Sequence, residues 1–191
     1  PSKHRSFADL ILSLAEVQAR RDENIRGVFV KFGGIRLGMA RAQELAMALG
    51  GVRKAGLSVV CQAEELNNGT AWVAASGCDR IWLSPAGGVD TVGIAAQLIY
   101  AKKLLGELKV DVDMLQVGRF KGASEPMTRE GPSPEAKESL LGVLRSLRGS
   151  WLSGVEQSRK FGDKRTVVEE GPYSPQEAKS LGLVDEIGYA D

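Results

Sequence analysis

The chain has 191 residues, enough for one domain with a core of its own. Hydrophobic residues make up 43% and charged residues 26%, which excludes a disordered chain of low hydrophobicity and high net charge. The net charge of +1, from 25 basic and 24 acidic residues, leaves no basic excess of the kind that marks a nucleic-acid binder.

Apolar residues alternate between helical and strand spacing from end to end. Phe7, Leu10, Ile11, Leu14 and Val17 recur at helical spacing. Gly27 to Phe32 reads as a short strand stopped by Gly33-Gly34, and Met39 to Val52 as a second amphipathic helix. Leu57 to Cys61 reads as a buried strand, Asn68 to Ser76 as a short helix after Asn67-Asn68-Gly69, and Arg80 to Ser84 as a strand before a Pro-Ala-Gly-Gly loop. Val92 to Leu108 is expected to be helical and Val112 to Val117 a strand. A loop rich in Gly, Pro and charge runs from Gly118 to Pro132. Ser133-Pro134 then starts a long helix, with Ser as N-cap and Pro at the first helical position. Ser174-Pro175-Gln176-Glu177 is a capping box for a helix that stops near Gly182, and Leu183 to Gly188 is an extended end. Strands separated by helices imply parallel pairing, so the expected class is α/β with a mostly parallel sheet, in a single domain over residues 1–191.

Several other features narrow the chemistry. The most apolar stretch, Val92 to Ala101, contains Gln97 and falls short of the ~20 apolar residues of a membrane-spanning helix. No signal peptide is visible, and the opening Pro1 in place of Met makes a fragment the expectation, with an anchor or targeting segment removed. Cys61 and Cys78 form no CxxC pair and have no His/Cys cluster around them, which argues against zinc. They read as two buried small side chains, or as a disulfide in an oxidising compartment. The single histidine, His4, lies in the first residues, so neither a Ser-His-Asp triad nor a Cys-His pair is expected within the chain. Acid–base chemistry must fall to Lys, Asp, Glu, Tyr or a helix terminus.

Sites in open α/β sheets gather at the carboxyl ends of strands, and three loops there hold candidates. Gly33-Gly34 is either a plain turn or a place where backbone N–H groups point at an anion. Neither GxGxxG nor GxxxxGK[ST] is present, which argues against a dinucleotide or P-loop nucleotide. Thr91, in Val89-Asp90-Thr91-Val92-Gly93, is either a helix N-cap or a hydroxyl at a strand-to-helix turn, with Gly93 beside it. Lys121, in Gly118-Arg119-Phe120-Lys121-Gly122, is either a surface lysine or a base, since burial and a neighbouring cation such as Arg119 favour the neutral amine.

The run Val117-Gly118-Arg119-Phe120-Lys121-Gly122-Ala123-Ser124-Glu125-Pro126, with Arg129-Glu130 and Ser133-Pro134 beyond it, resembles the lysine segment in the first repeat of long, two-repeat signal peptide peptidases, the SppA family of Ser/Lys peptidases. Ala74 to Pro85 is similar to that family's approach to its active-site loop. Val89 to Ile94 falls where the family's second repeat carries a nucleophile in a Thr-Gly-Ser-Ile-Gly pattern, but here Thr91 stands in place of the serine and Asp90 in place of the glycine before it. Tyr173 to Asp185 resembles the closing helix and strand, an ending shared with crotonase-fold enzymes. The match covers about Phe7 to Gly188. The resemblance implies a ClpP/crotonase-like fold of stacked βα units and a Ser/Lys dyad without cofactor or metal. It makes Lys121 the general base, the carboxy-terminal repeat the source of the nucleophilic serine, and Gly33, Gly34, Thr91 and Gly93 a weaker groove or oxyanion region. It further implies cleaved signal peptides and other apolar peptides as substrates, a homo-oligomer, and a cytoplasmic membrane setting with the protease on the extracytoplasmic, periplasmic face. The chain alone is then expected to be inactive. A crotonase-like acyl-CoA enzyme, a non-catalytic scaffold half and a plain binding module are the other readings.

Overall fold

A computed structural model describes residues 6–19, 24–115, 117–156, 159 and 167–189. His4 lies outside the described residues. The chain forms two compact units, one of Pro1–Gly93 with Ser150–Asp191 and the other of Ile94–Gly149.

The first unit is built on a parallel sheet, in the order β1 (Gly27–Phe32), β2 (Ser58–Asn67), β3 (Arg80–Asp90), β4 (Glu186–Ile187). The helices α1 (Phe7–Ala19), α2 (Met39–Lys54), α3 (Asn68–Gly77) and α7 (Pro175–Ser180) also belong to it. This is the α/β class with a parallel sheet expected from the alternating pattern. Alternate strand residues Val59, Cys61, Ala63, Ile81 and Leu83 are buried with Ala42, Leu45, Leu49 and Val52 of α2 and Val73 and Ala74 of α3. Period-two burial on the strands and period-3.6 burial on α2 put these apolar faces into one core. Cys61 of β2 and Cys78, the C-cap of α3, form a disulfide with Cα atoms 5.9 Å apart, which resolves the two readings of these cysteines.

β3 runs six residues past the expected stop at Ser84. The β2–β3 register shifts between Ala63 and Glu65, after which Glu65, Leu66 and Asn67 pair with Gly88, Val89 and Asp90. Gly87 makes this continuation feasible, because a Cβ there would collide with the Glu64 carbonyl oxygen. The Pro-Ala-Gly-Gly run is therefore a bulged strand and not a loop.

The second unit holds α4 (Lys102–Glu107), α5 (Glu125–Thr128) and the first turns of α6 (Pro134–Glu156). Two expectations fail here. Residues 91–101 have no regular structure, so the helix expected over Val92–Leu108 shrinks to six residues. No strand forms among the described residues of Val112–Val117. Leu98, Ile99, Leu104, Leu108, Leu115 and Val117 are all exposed. Apolar periodicity produces a stable helix or strand only when its apolar face is buried, and these faces are not. The last turns of α6 place Trp151, Leu152 and Val155 in the core of the first unit, where Trp151 Nε1 donates to the Asn68 carbonyl at 2.9 Å.

Candidate active site

In the first unit the candidate residues sit at the carboxyl ends of β1 and β3, and two asparagines at the end of β2 tie their loops down. Asn67 caps α3 by accepting the N–H groups of Gly69 and Thr70, while its Nδ2 donates to the Ile35 carbonyl at 3.1 Å, just past Gly33-Gly34. Asn68 accepts the Val92 N–H at 3.2 Å and donates to the Gly93 carbonyl at 2.6 Å. Neither asparagine was a candidate from sequence. The signal was there in Asn67-Asn68-Gly69 at a strand-to-helix junction, a run that reads first as punctuation.

Gly33 and Gly34 are exposed, with open space where side chains would be. The Gly33 carbonyl accepts the Ile35 N–H at 2.7 Å in a tight turn. Gly93 has φ of 78°, a left-handed conformation that favours glycine. Thr91 is 1% exposed. Its backbone carbonyl accepts the Gly171 N–H at 2.9 Å, and its hydroxyl has no hydrogen-bond partner among the described residues. Thr91 lines a small, mainly apolar cavity with Leu66, Val89, Trp151 and Leu183. The N-cap role expected for it is absent because no helix follows. Beside the strand end, Glu64, Glu65 and Asp90 line an open groove of ≈ 450 Å³ with Tyr173. Its three carboxylates make it a poor receptor for an apolar peptide.

Lys121 belongs to the second unit and is exposed. Two turns hold its backbone: the Lys121 N–H donates to the Gly118 carbonyl at 3.3 Å and the Glu125 N–H to the Gly122 carbonyl at 3.1 Å. Gly118 has φ of 105°, and a Cβ there would lie 3.4 Å from Lys121 Cγ. Among the described residues the Lys121 ammonium has no hydrogen-bond or ion-pair partner. Arg119 is turned to other contacts, with its guanidinium 5.7 Å from the Phe120 ring centroid and 3.6 Å from the Glu135 carboxylate. Among the described residues of its unit none buries Lys121, which sits on an open loop.

Glu125, by contrast, is 6% exposed. The Ser133 hydroxyl, and then the Ser133 N–H at 2.9 Å, hold its carboxyl below the usual range against the opposing effect of burial. Ser133 is the N-cap expected from sequence, its hydroxyl accepting the Ala136 N–H at 3.1 Å. No cluster among the described residues could hold a metal ion.

Residues 52–191 match the family model described as peptidase family S49. The chain is 32% identical over 160 residues to "Protease 4" of Salmonella typhi, covering 83% of this chain and 25% of that protein. It is 23% identical over 182 residues to "Serine protease SPPA, chloroplastic" of Arabidopsis thaliana, covering 92% of this chain and 26% of that protein. The chain thus spans about a quarter of the length of these relatives. Among solved structures, a peptidase from Plasmodium falciparum aligns over 95% of this chain and 88% of its own, at 9% identity and a TM-score of 0.54, a likeness of fold. An enoyl-CoA hydratase from Shewanella pealeana aligns over 95% and 57%, at 11% identity and a TM-score of 0.48.

Proposed function

Because the chain belongs to peptidase family S49, we propose that it is the lysine-bearing half of a Ser/Lys-dyad endopeptidase, with Lys121 as general base and the serine supplied by a second, carboxy-terminal repeat. The observation that carries this reading is the Lys121 loop itself. In the segment that resembles the family's lysine motif, an amine with no partner among the described residues projects from backbone turns at Gly118 and Gly122. Thr91, the residue in the nucleophile's sequence position, has its hydroxyl buried and lacks the access an attacking group needs. The comparisons support a peptidase, and the division of labour between repeats is our reading.

In this mechanism the serine Oγ of the second repeat attacks the scissile carbonyl as neutral Lys121 Nζ takes its proton. Backbone N–H groups stabilise the oxyanion. The lysine then returns the proton to the leaving amine, and water hydrolyses the acyl-enzyme by the same proton route. Lys121 is exposed, so the serine-bearing repeat has a second task, to cover the amine.

The proposed substrates are cleaved signal peptides and other apolar peptides. The exposed apolar side chains Leu98, Ile99, Leu115, Val117 and Phe120 in the unit that carries Lys121 suit such a peptide or a subunit contact in a homo-oligomer. The proposed setting is the extracytoplasmic face of a membrane. The buried Cys61–Cys78 disulfide fits an oxidising compartment. Among the described residues no helix is long and apolar enough to cross a membrane.

The test is hydrolysis of a fluorogenic apolar peptide by this chain alone and after addition of the serine-bearing repeat. The expected result is silence alone and turnover on mixing. Turnover by the chain alone would overturn the split-site reading.

A further inference from the structure

Glu125 takes no part in the proton transfers, yet it is the buried carboxylate of the loop that carries Lys121. A carboxylate at 6% exposure is costly unless it is hydrogen-bonded, and this one accepts the N–H of Ser133, the N-cap of α6, at 2.9 Å. We infer that Glu125 is the positioning residue of Lys121, tethering the loop through Ser133 to the start of α6; this rests on the reading of Lys121 as general base.

The chain of contacts is continuous. The Ser133 N–H donates to the Glu125 carboxylate at 2.9 Å, and the Ser133 hydroxyl accepts the Ala136 N–H at 3.1 Å. The Glu125 N–H closes a turn on the Gly122 carbonyl, one residue after Lys121. Gly122 itself lies against the tether: a Cβ there would be 3.1 Å from Glu125 Oε1 and 3.5 Å from Ala136 Cβ. The Lys121 N–H closes the preceding turn on Gly118. A rigid helix start thus fixes the carboxylate, the carboxylate fixes Gly122, and Gly122 fixes the residue whose amine does chemistry. Support of this kind decides whether a reacting group sits within the fraction of an ångström that catalysis requires.

The experiment uses the whole two-repeat protein, with kcat expressed per site titrated by a serine-reactive phosphonate, so that loss of folded protein does not count. Glu125→Ala is expected to lower kcat about 10- to 100-fold with KM within about threefold. It should also speed amide hydrogen exchange across residues 118–125 roughly tenfold. Glu125→Gln keeps an oxygen for the Ser133 N–H and should recover most of both effects. Glu125→Ala with unchanged kcat, beside an inactive Lys121→Ala, would overturn the inference. If Lys121→Ala also keeps full turnover, the general-base reading is what fails. The exchange rates then decide the tether alone: faster exchange in Glu125→Ala upholds it and an unchanged rate removes it.

Discussion

The side-chain amide of Asn68 donates to the carbonyl of Gly93 at 2.6 Å while its oxygen accepts the N–H of Val92 at 3.2 Å, so one residue at the start of α3 fixes the exit of β3. The exit follows an eleven-residue strand and has no helix of its own to order it. Asn68→Ala is expected to cost about 1–2 kcal/mol, from two lost hydrogen bonds at a partly buried site. Urea unfolding measures the loss, and amide exchange at Val92 should quicken while that of the Gly171 N–H, bound to the Thr91 carbonyl, changes less.

The disulfide closes a loop of sequence separation 17, and both cysteines are buried, Cys61 at 0% and Cys78 at 4% exposure. Constraint of an unfolded loop of that length contributes about 3 kcal/mol. The Cys61→Ala/Cys78→Ala double variant should lose a stability of that order in urea. In the native protein, dithiothreitol should leave the bond intact until the chain unfolds, as counted by thiol alkylation and mass spectrometry.

Thr91 buries a hydroxyl in a mainly apolar cavity without a partner among the described residues. Replacing an unsatisfied buried polar atom with a methyl group is neutral to stabilising, here by about 0–2 kcal/mol. Thr91→Val should therefore raise or preserve the melting temperature and leave turnover of the whole protein within twofold. A large loss of turnover in a stably folded Thr91→Val would restore Thr91 as a reacting residue.

Asp185 binds the Arg159 guanidinium through both oxygens, at 2.9 and 2.6 Å, and accepts the Ile81 N–H at 2.7 Å. Burial pushes its carboxyl up, but the Arg159 and Ile81 hydrogen bonds and the positive charges of Arg159 and Arg80 outweigh it and hold the carboxyl below its ordinary value. A carboxyl depressed in the folded state stabilises fully above its unfolded pKa, and that contribution fades as pH falls through the folded value. Stability measured by urea unfolding should decline from about pH 5 downward, and Asp185→Asn should be less stable at neutral pH and flatten that decline.

The sheet was largely legible because its strands and helices alternate and bury clean faces. β1 begins and ends where Gly27 and Gly33 predict, and the capping box at Ser174 and Glu177 forms as read, with Ser174 Oγ and the Glu177 carboxylate 2.6 Å apart. The extension of β3 was not legible, since it depends on a bulge that includes Gly87 and faces Glu64, which only the paired strands reveal. Leu98 to Val117 misled for the opposite reason: Leu98, Ile99, Leu104, Leu108, Leu115 and Val117 follow an apolar pattern but stay exposed. Lys121 is a candidate only through the resemblance, because an exposed lysine in a Gly-rich loop has no local signature. Glu125 went unread because nothing in sequence distinguishes a buried tethering carboxylate from a surface one until Ser133 is seen beside it.

The most direct measurement of the central claim is turnover of a fluorogenic apolar peptide by the whole protein carrying Lys121→Ala, beside wild type. A general base contributes about 10²- to 10⁴-fold, so the account predicts a fall in kcat of at least a hundredfold, with urea unfolding unchanged from wild type. A variant that keeps kcat within tenfold would contradict it.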